Sequence, residues 1–133
     1  MKQVKVAAAI IVNNDKILCV QRGPNKFDYI SKKFEFPGGK IESGESPAET
    51  VIREIHEELK MNIEVEKEFL VVNHKYPDFG IEMHSFICST PTRELELSEH
   101  ISFKWLDVNE LEALDWAAAD ISIVDKLIKE IEQ

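Results

Sequence analysis

Three glutamates, Glu54, Glu57 and Glu58, stand at positions i, i+3 and i+4 of one short stretch. On a helix that spacing lines their carboxylates along a single stripe. Ala48, Val51, Ile52, Ile55 and Leu59 recur at the three-and-four spacing of an amphipathic helix, so a second, apolar stripe faces a core and the carboxylates border it. Like charges so placed repel by about 0.2–0.5 kcal/mol per pair, more where partly desolvated, and the stripe calls for a counter-charge. All-oxygen ligation suits a hard divalent cation, Mg²⁺ with Mn²⁺ able to substitute, over zinc, which prefers sulfur and imidazole. Taken alone, three such glutamates also read as a solvated acidic helix face.

The start of this helix is marked. Ser46 is placed to cap it, Pro47 suits the first helical position, and Glu49, three after Ser46, completes a capping box. The loop before it and the helix together run Gly39, five residues, Glu45, seven residues, Arg53-Glu54-Ile55, one residue, Glu57-Glu58, one residue, Met61. This pattern resembles the Nudix box, the signature of the Nudix hydrolases. One defined position departs: Lys60 stands where the box has Gly, which places a Lys in the left-handed region or shifts the turn toward Asn62.

The resemblance implies an α/β chain with the Nudix fold, an α/β/α sandwich around a mixed β-sheet, and a loop-helix-loop catalytic box. It implies that Gly39, Glu54, Glu57, Glu58 and Glu99 hold the metal, and that one carboxylate among Glu54, Glu57, Glu58 and Glu99 deprotonates or orients the attacking water. In the MutT-like branch it places Arg22 on a nucleotide phosphate, with Lys40 a further point charge, and makes Arg53 structural, oriented toward Glu57. Phe36, directly before Pro-Gly-Gly, is the aromatic residue chosen to line the pocket, ahead of Tyr76 and Trp116. Asp120 divides evenly between an N-cap for the last helix and a base-reading residue whose carboxylate offers only acceptors.

The activity so implied is hydrolysis of a (deoxy)nucleoside triphosphate to monophosphate and pyrophosphate, with 8-oxo-dGTP, CTP or modified dCTP first among substrates. Other diphosphate-linked substrates (dinucleoside polyphosphates, ADP-ribose, nucleotide sugars) are the alternatives within the family. Outside it stand a non-catalytic nucleotide- or metal-binding module and an acidic interaction protein without an active site.

The whole chain agrees with a small-molecule partner. At 133 residues it is read as one domain, 1–133, with 44% hydrophobic residues. A formal net charge of −9, from 25 acidic against 16 basic residues, argues against a nucleic-acid polymer or an anionic membrane as partner. No apolar run approaches the roughly 18 residues of a membrane span, and the N-terminal stretch reads as a strand, not a signal peptide. Cys19 and Cys88 are expected to be buried free thiols, in keeping with a cytoplasmic setting. Monomer and homodimer both remain open. Four histidines, 56, 74, 84 and 100, show no ligand spacing and are read as surface or cross-strand residues.

The elements that must position the site follow from pattern. Val4 to Val12 and Ile17 to Val20, around the turn signal Asn13-Asn14-Asp15, predict a hairpin, and Phe34 to Gly39 a short strand. Ile63 to His74 and Ile81 to Cys88 predict an antiparallel pair about the turn Tyr76–Gly80. A polar connection, a strand at Ile101–Leu106, a short helix at Val108–Leu114 and a closing helix at Ile121–Ile131 complete the chain, the last with apolar residues at 121, 124, 127, 128 and 131.

Overall fold

A computed structural model describes residues 2–131. In chain order these form β1 (Lys2–Asn13), β2 (Lys16–Arg22), β3 (Phe34–Glu35), β4 (Gly38–Lys40), α1 (Pro47–Leu59), β5 (Glu64–Lys75), β6 (Phe79–Ser89), β7 (His100–Leu106), a 3₁₀ turn (Val108–Ala113) and α2 (Ala118–Ile131). The seven described strands make one mixed sheet ordered β3-β2-β1-β6-β5, with β4 also paired to β1 and β7 to β2.

The hairpin forms at the predicted place. Asn13 pairs with Lys16, and Asn14 and Asp15 between them both take positive φ, 48° and 64°, as a twist-compatible two-residue turn requires. β1 then runs parallel to β6, and β5 returns antiparallel to β6, which makes the sheet mixed. β1 is apolar on both faces because both are covered. Ala7, Ala9 and Ile11 pack with Val51, Ile55 and Leu59 of α1 on one side; Ala8 and Ile10 pack with Ile123, Val124 and Leu127 of α2 on the other. Helix, sheet, helix is the α/β/α arrangement the sequence predicts.

Three expectations change. The single strand foreseen at Phe34–Gly39 is two: β3 pairs with β2 and β4 with β1, split at Phe36-Pro37, where Pro37 has no N–H to give and its carbonyl accepts from Ala9 N at 2.8 Å. In α1, Ile52 is exposed, so the buried stripe is narrower than its apolar residues. In α2, Ile121 is also exposed and Ile123, outside the predicted stripe, is fully buried; the side chain of Ile131 lies outside the described residues. The helix begins three residues earlier than predicted.

Candidate active site

The box is assembled where β4 leads into α1. The capping box forms as predicted, Glu49 N donating to Ser46 Oγ at 3.1 Å and Ser46 N to Glu49 Oε1 at 2.9 Å. At the other end Lys60 accepts the left-handed conformation, φ 57°, and its N–H donates to the His56 carbonyl at 3.1 Å; the turn does not shift to Asn62. The departure from Gly is absorbed in the backbone at about 1 kcal/mol and leaves the carboxylates in register.

Gly39 lies against the helix. A Cβ there would stand 2.4 Å from the Glu54 Cδ, so only glycine leaves room for that carboxylate. Glu54, Glu57 and Glu58 then diverge in environment. Arg53 supplies much of the counter-charge: Nη1 donates to Glu54 Oε1 at 2.9 Å and to Glu57 Oε2 at 3.2 Å. Its Nε and Nη2 grip Glu45 at 2.7 and 3.0 Å, a two-pronged pairing that the sequence reading, which pointed Arg53 at Glu57, did not foresee. Glu45 also accepts from Thr50 Oγ1, and Arg53 with these donors holds its carboxyl down at about 2. Glu57 is left 58% exposed.

Glu58 is the opposite case. It is 8% exposed, its Oε2 is buried with no hydrogen-bond partner, and burial first, then the neighbouring carboxyls of Glu54 and Glu99, push it up to about 9. Glu99 is carried in by the loop before β7, which docks on the end of α1: Ser98 Oγ donates to the Glu58 carbonyl at 2.7 Å and Glu96 N to the Leu59 carbonyl at 2.9 Å. Glu54 and Glu99 thus each neighbour Glu58, while Glu57 points outward beside them. Among the described residues no three such side chains converge as a ready ligand set. The donor chemistry nonetheless fits a hard divalent cation: all oxygen, one oxygen orphaned and buried, and a glycine wall that keeps the Glu54 carboxylate in place.

The predicted substrate residues fall in two places. Lys40 is exposed at the end of β4, beside the box, its carbonyl accepting from Arg53 Nη2 at 3.3 Å. Arg22 ends β2, half-exposed, with Nη1 3.5 Å from Glu35 Oε1. Phe36 is buried and stacked on Trp116, centroids 4.8 Å apart, so here it belongs to the core and not to an open wall.

Asp120 corrects the capping expectation. It lies inside the first turn of α2 and is buried; its Oδ2 accepts from Phe36 N at 2.9 Å. The helix start is served instead by Tyr76, whose hydroxyl accepts from Ala119 N at 3.0 Å. Burial first, then the charge of Glu35, raise the Asp120 carboxyl well above the usual carboxylate range.

Of the two places allowed for it, His100 takes the cross-strand one: it pairs with Arg22 across the β2–β7 ladder, its side chain is 6% exposed and its Nε2 donates to Glu35 Oε2 at 2.9 Å. Cys19 and Cys88 are buried free thiols as predicted, each pushed up to about 12 by burial.

Residues 1–127 match the NUDIX domain, and the chain belongs to that family of hydrolases acting on phosphoric anhydrides. It is 30% identical to the 8-oxo-dGTP diphosphatase of Escherichia coli K12, over 96% of this chain and 98% of that one, and 34% identical to the CTP pyrophosphohydrolase of the same organism, over 94% and 91%. Among solved structures, the MutT protein of methicillin-resistant Staphylococcus aureus 252, a Nudix hydrolase, aligns at 37% identity with a TM-score of 0.75, covering 98% and 99% of the two chains. MutT from Methanosarcina mazei Go1 superposes with a TM-score of 0.87 over 99% and 97% at 22% identity, which bears on the fold alone. No described helix is long and apolar enough to cross a membrane.

Proposed function

We propose that this protein, acting as a single domain, hydrolyses a (deoxy)nucleoside triphosphate to the monophosphate and pyrophosphate, with 8-oxo-dGTP, CTP or a modified dCTP as substrate. The observation that carries the reading is the buried Glu58 carboxyl, one oxygen without a partner, neighboured by Glu99 and by Glu54, which itself rests on Gly39. Glu54 shares the Arg53 guanidinium with Glu45 and Glu57, whereas the buried Glu58 oxygen has no partner, and a cation would supply the charge that this oxygen lacks. Relatives named for 8-oxo-dGTP and CTP support the substrate class.

Gly39, Glu54, Glu57, Glu58 and Glu99 would hold Mg²⁺, or Mn²⁺ in its place. When bound, the cation neutralises charge on the phosphates and lowers the pKa of a coordinated water. Of the chain's own groups, Glu54, Glu58 and Glu99 are in place to accept the proton of the attacking water, with Glu57 at the outer edge. Arg22 and Lys40 bind phosphate oxygens, Arg22 by its fork of donors and Lys40 as a point charge. Asp120 reads the base through the oxygen not engaged by Phe36 N–H. A cytoplasmic, nucleotide-pool-cleansing role follows from this chemistry and from the free thiols.

The test is a panel of canonical, oxidised and methylated nucleoside triphosphates, ADP-ribose, a nucleotide sugar and a dinucleoside polyphosphate, each incubated with Mg²⁺ and resolved by chromatography. Release of monophosphate and pyrophosphate from 8-oxo-dGTP or a cytosine nucleotide is the expected result. Turnover confined to ADP-ribose, sugar or dinucleoside substrates would overturn it.

A further inference from the structure

Glu35 stands between two basic side chains contributed by two other strands. Its Oε2 accepts from His100 Nε2 at 2.9 Å, and its Oε1 lies 3.5 Å from Arg22 Nη1. A break in the β2–β7 ladder makes this possible. Gln21 pairs with Ser102, but Arg22 pairs with His100, so Ile101 is squeezed out of register and left exposed. In an unbroken ladder Ile101 would stand opposite Arg22 and His100 would fall on the other face. The bulge re-aims His100 onto the Arg22 side of the sheet.

We propose that Glu35 and His100 are positioning residues for the phosphate subsite: His100 fixes the rotamer of Glu35, and Glu35 holds the Arg22 guanidinium ready for the substrate. This rests on the phosphate-binding role given to Arg22 above. The gradient of burial supports it. His100 is nearly enclosed, Glu35 is 20% exposed and Arg22 is 42% exposed, so a rigid inner group steers a mobile outer one. Arginine loses much rotamer freedom on binding, and a partner that restricts it beforehand removes part of that cost. Glu35 engages a single nitrogen of the guanidinium, so its remaining donors are available to phosphate oxygens.

The experiment is a double-mutant cycle read in KM and kcat, with melting temperatures for every variant. Glu35→Gln is expected to raise KM for the triphosphate about 3–10-fold with kcat within about twofold, and to add nothing in an Arg22→Ala background. His100→Ala should do the same, and His100→Gln, which keeps an N–H donor, should restore most of the loss. An equal Glu35→Gln effect with and without Arg22, or a lowered melting temperature with KM unchanged, would show a purely structural pair and overturn the proposal. Calorimetric titration with pyrophosphate in Mg²⁺ buffer reads the same coupling without turnover. Should the wild type hydrolyse no nucleotide, the hydrolase reading falls, and equal pyrophosphate affinities of wild type and Glu35→Gln would sink this proposal separately.

Discussion

Glu58→Gln replaces the one helix carboxyl that the fold encloses without a partner, and its effect on stability can be worked from that enclosure. The folded carboxyl sits at about 9 against an ordinary 4.5. Between those values the folded chain keeps a proton that the unfolded chain has released. Stability contributed by this group is therefore full below 4.5 and falls as pH rises, by at most about 1.4 kcal/mol per pH unit. Up to about pH 8 the ceiling is about 5 kcal/mol. Because the Glu58 carboxyl borders Glu99, which opens to water, the expected size is about 1–2 kcal/mol. Gln does not titrate, so in EDTA the variant should melt level with wild type at about pH 5 and about 3–8 °C above it at about pH 8. Mg²⁺ should reverse the order at about pH 8, since it stabilises only a site with its carboxylates intact. Hydrolysis should fall at least about a hundredfold. Melting curves by circular dichroism across that pH range, with EDTA and then Mg²⁺, decide it: a variant less stable than wild type at about pH 8 without metal would refute the enclosed-carboxyl account.

Glu57→Gln should cut kcat on a similar scale but leave the metal-free melting temperature within about 1–2 °C and its pH trend unchanged, since Glu57 is half-exposed and already paired with Arg53. Gly39→Ala should push the Glu54 side chain aside without unfolding the protein, because the clashing atoms end a flexible chain; calorimetry should then show Mn²⁺ affinity weakened at least about tenfold with little loss of melting temperature. Asp120→Asn keeps an acceptor for Phe36 N–H and should change kcat/KM ratios between bases with stability nearly unchanged. Asp120→Ala orphans that N–H and should cost about 1–3 kcal/mol in denaturant melts as well. Lowering pH through about 2 should protonate Glu45 and release Arg53, since a depressed carboxyl gives up its contribution as pH falls; Glu45→Gln should lose that acid transition.

The site was legible where chemistry is local. Ser46, Pro47 and Glu49 announce the start of α1, and the carboxylate spacing needs nothing beyond the helix itself. The Lys60 turn was half legible: the sequence left a left-handed Lys60 and a turn moved to Asn62 as alternatives, and the structure takes the first. Long-range geometry was not legible. Periodicity gives Ile52 and Ile121 to the apolar stripes, but which edge of a stripe the sheet covers depends on how the helix is set upon it. Asp120 looks like a cap because nothing in its neighbourhood shows that Tyr76, from a distant hairpin, already serves that helix end. That His100 turns toward Glu35 was not legible either, because a one-residue bulge reverses the face of everything beyond it, and no residue type marks the bulge.

The parallel pairing of β1 with β6 sets the order in which this molecule can come into being. Every ladder partner of β1 in that pair, from Lys2 with Phe79 to Val12 with Ser89, lies far down the chain, so the closure entropy of a long loop must be met before the pair gains anything. α1 needs no such wait; its caps and turns are local. Yet the glycine wall against which Glu54 rests belongs to β4, which hangs on β1. A refolding chain should accordingly gain its helical signal early and its metal-binding competence late. On the ribosome the acidic helix is made before the strand that completes the sheet beside β1, so the cleft closes only after Ser89 has emerged.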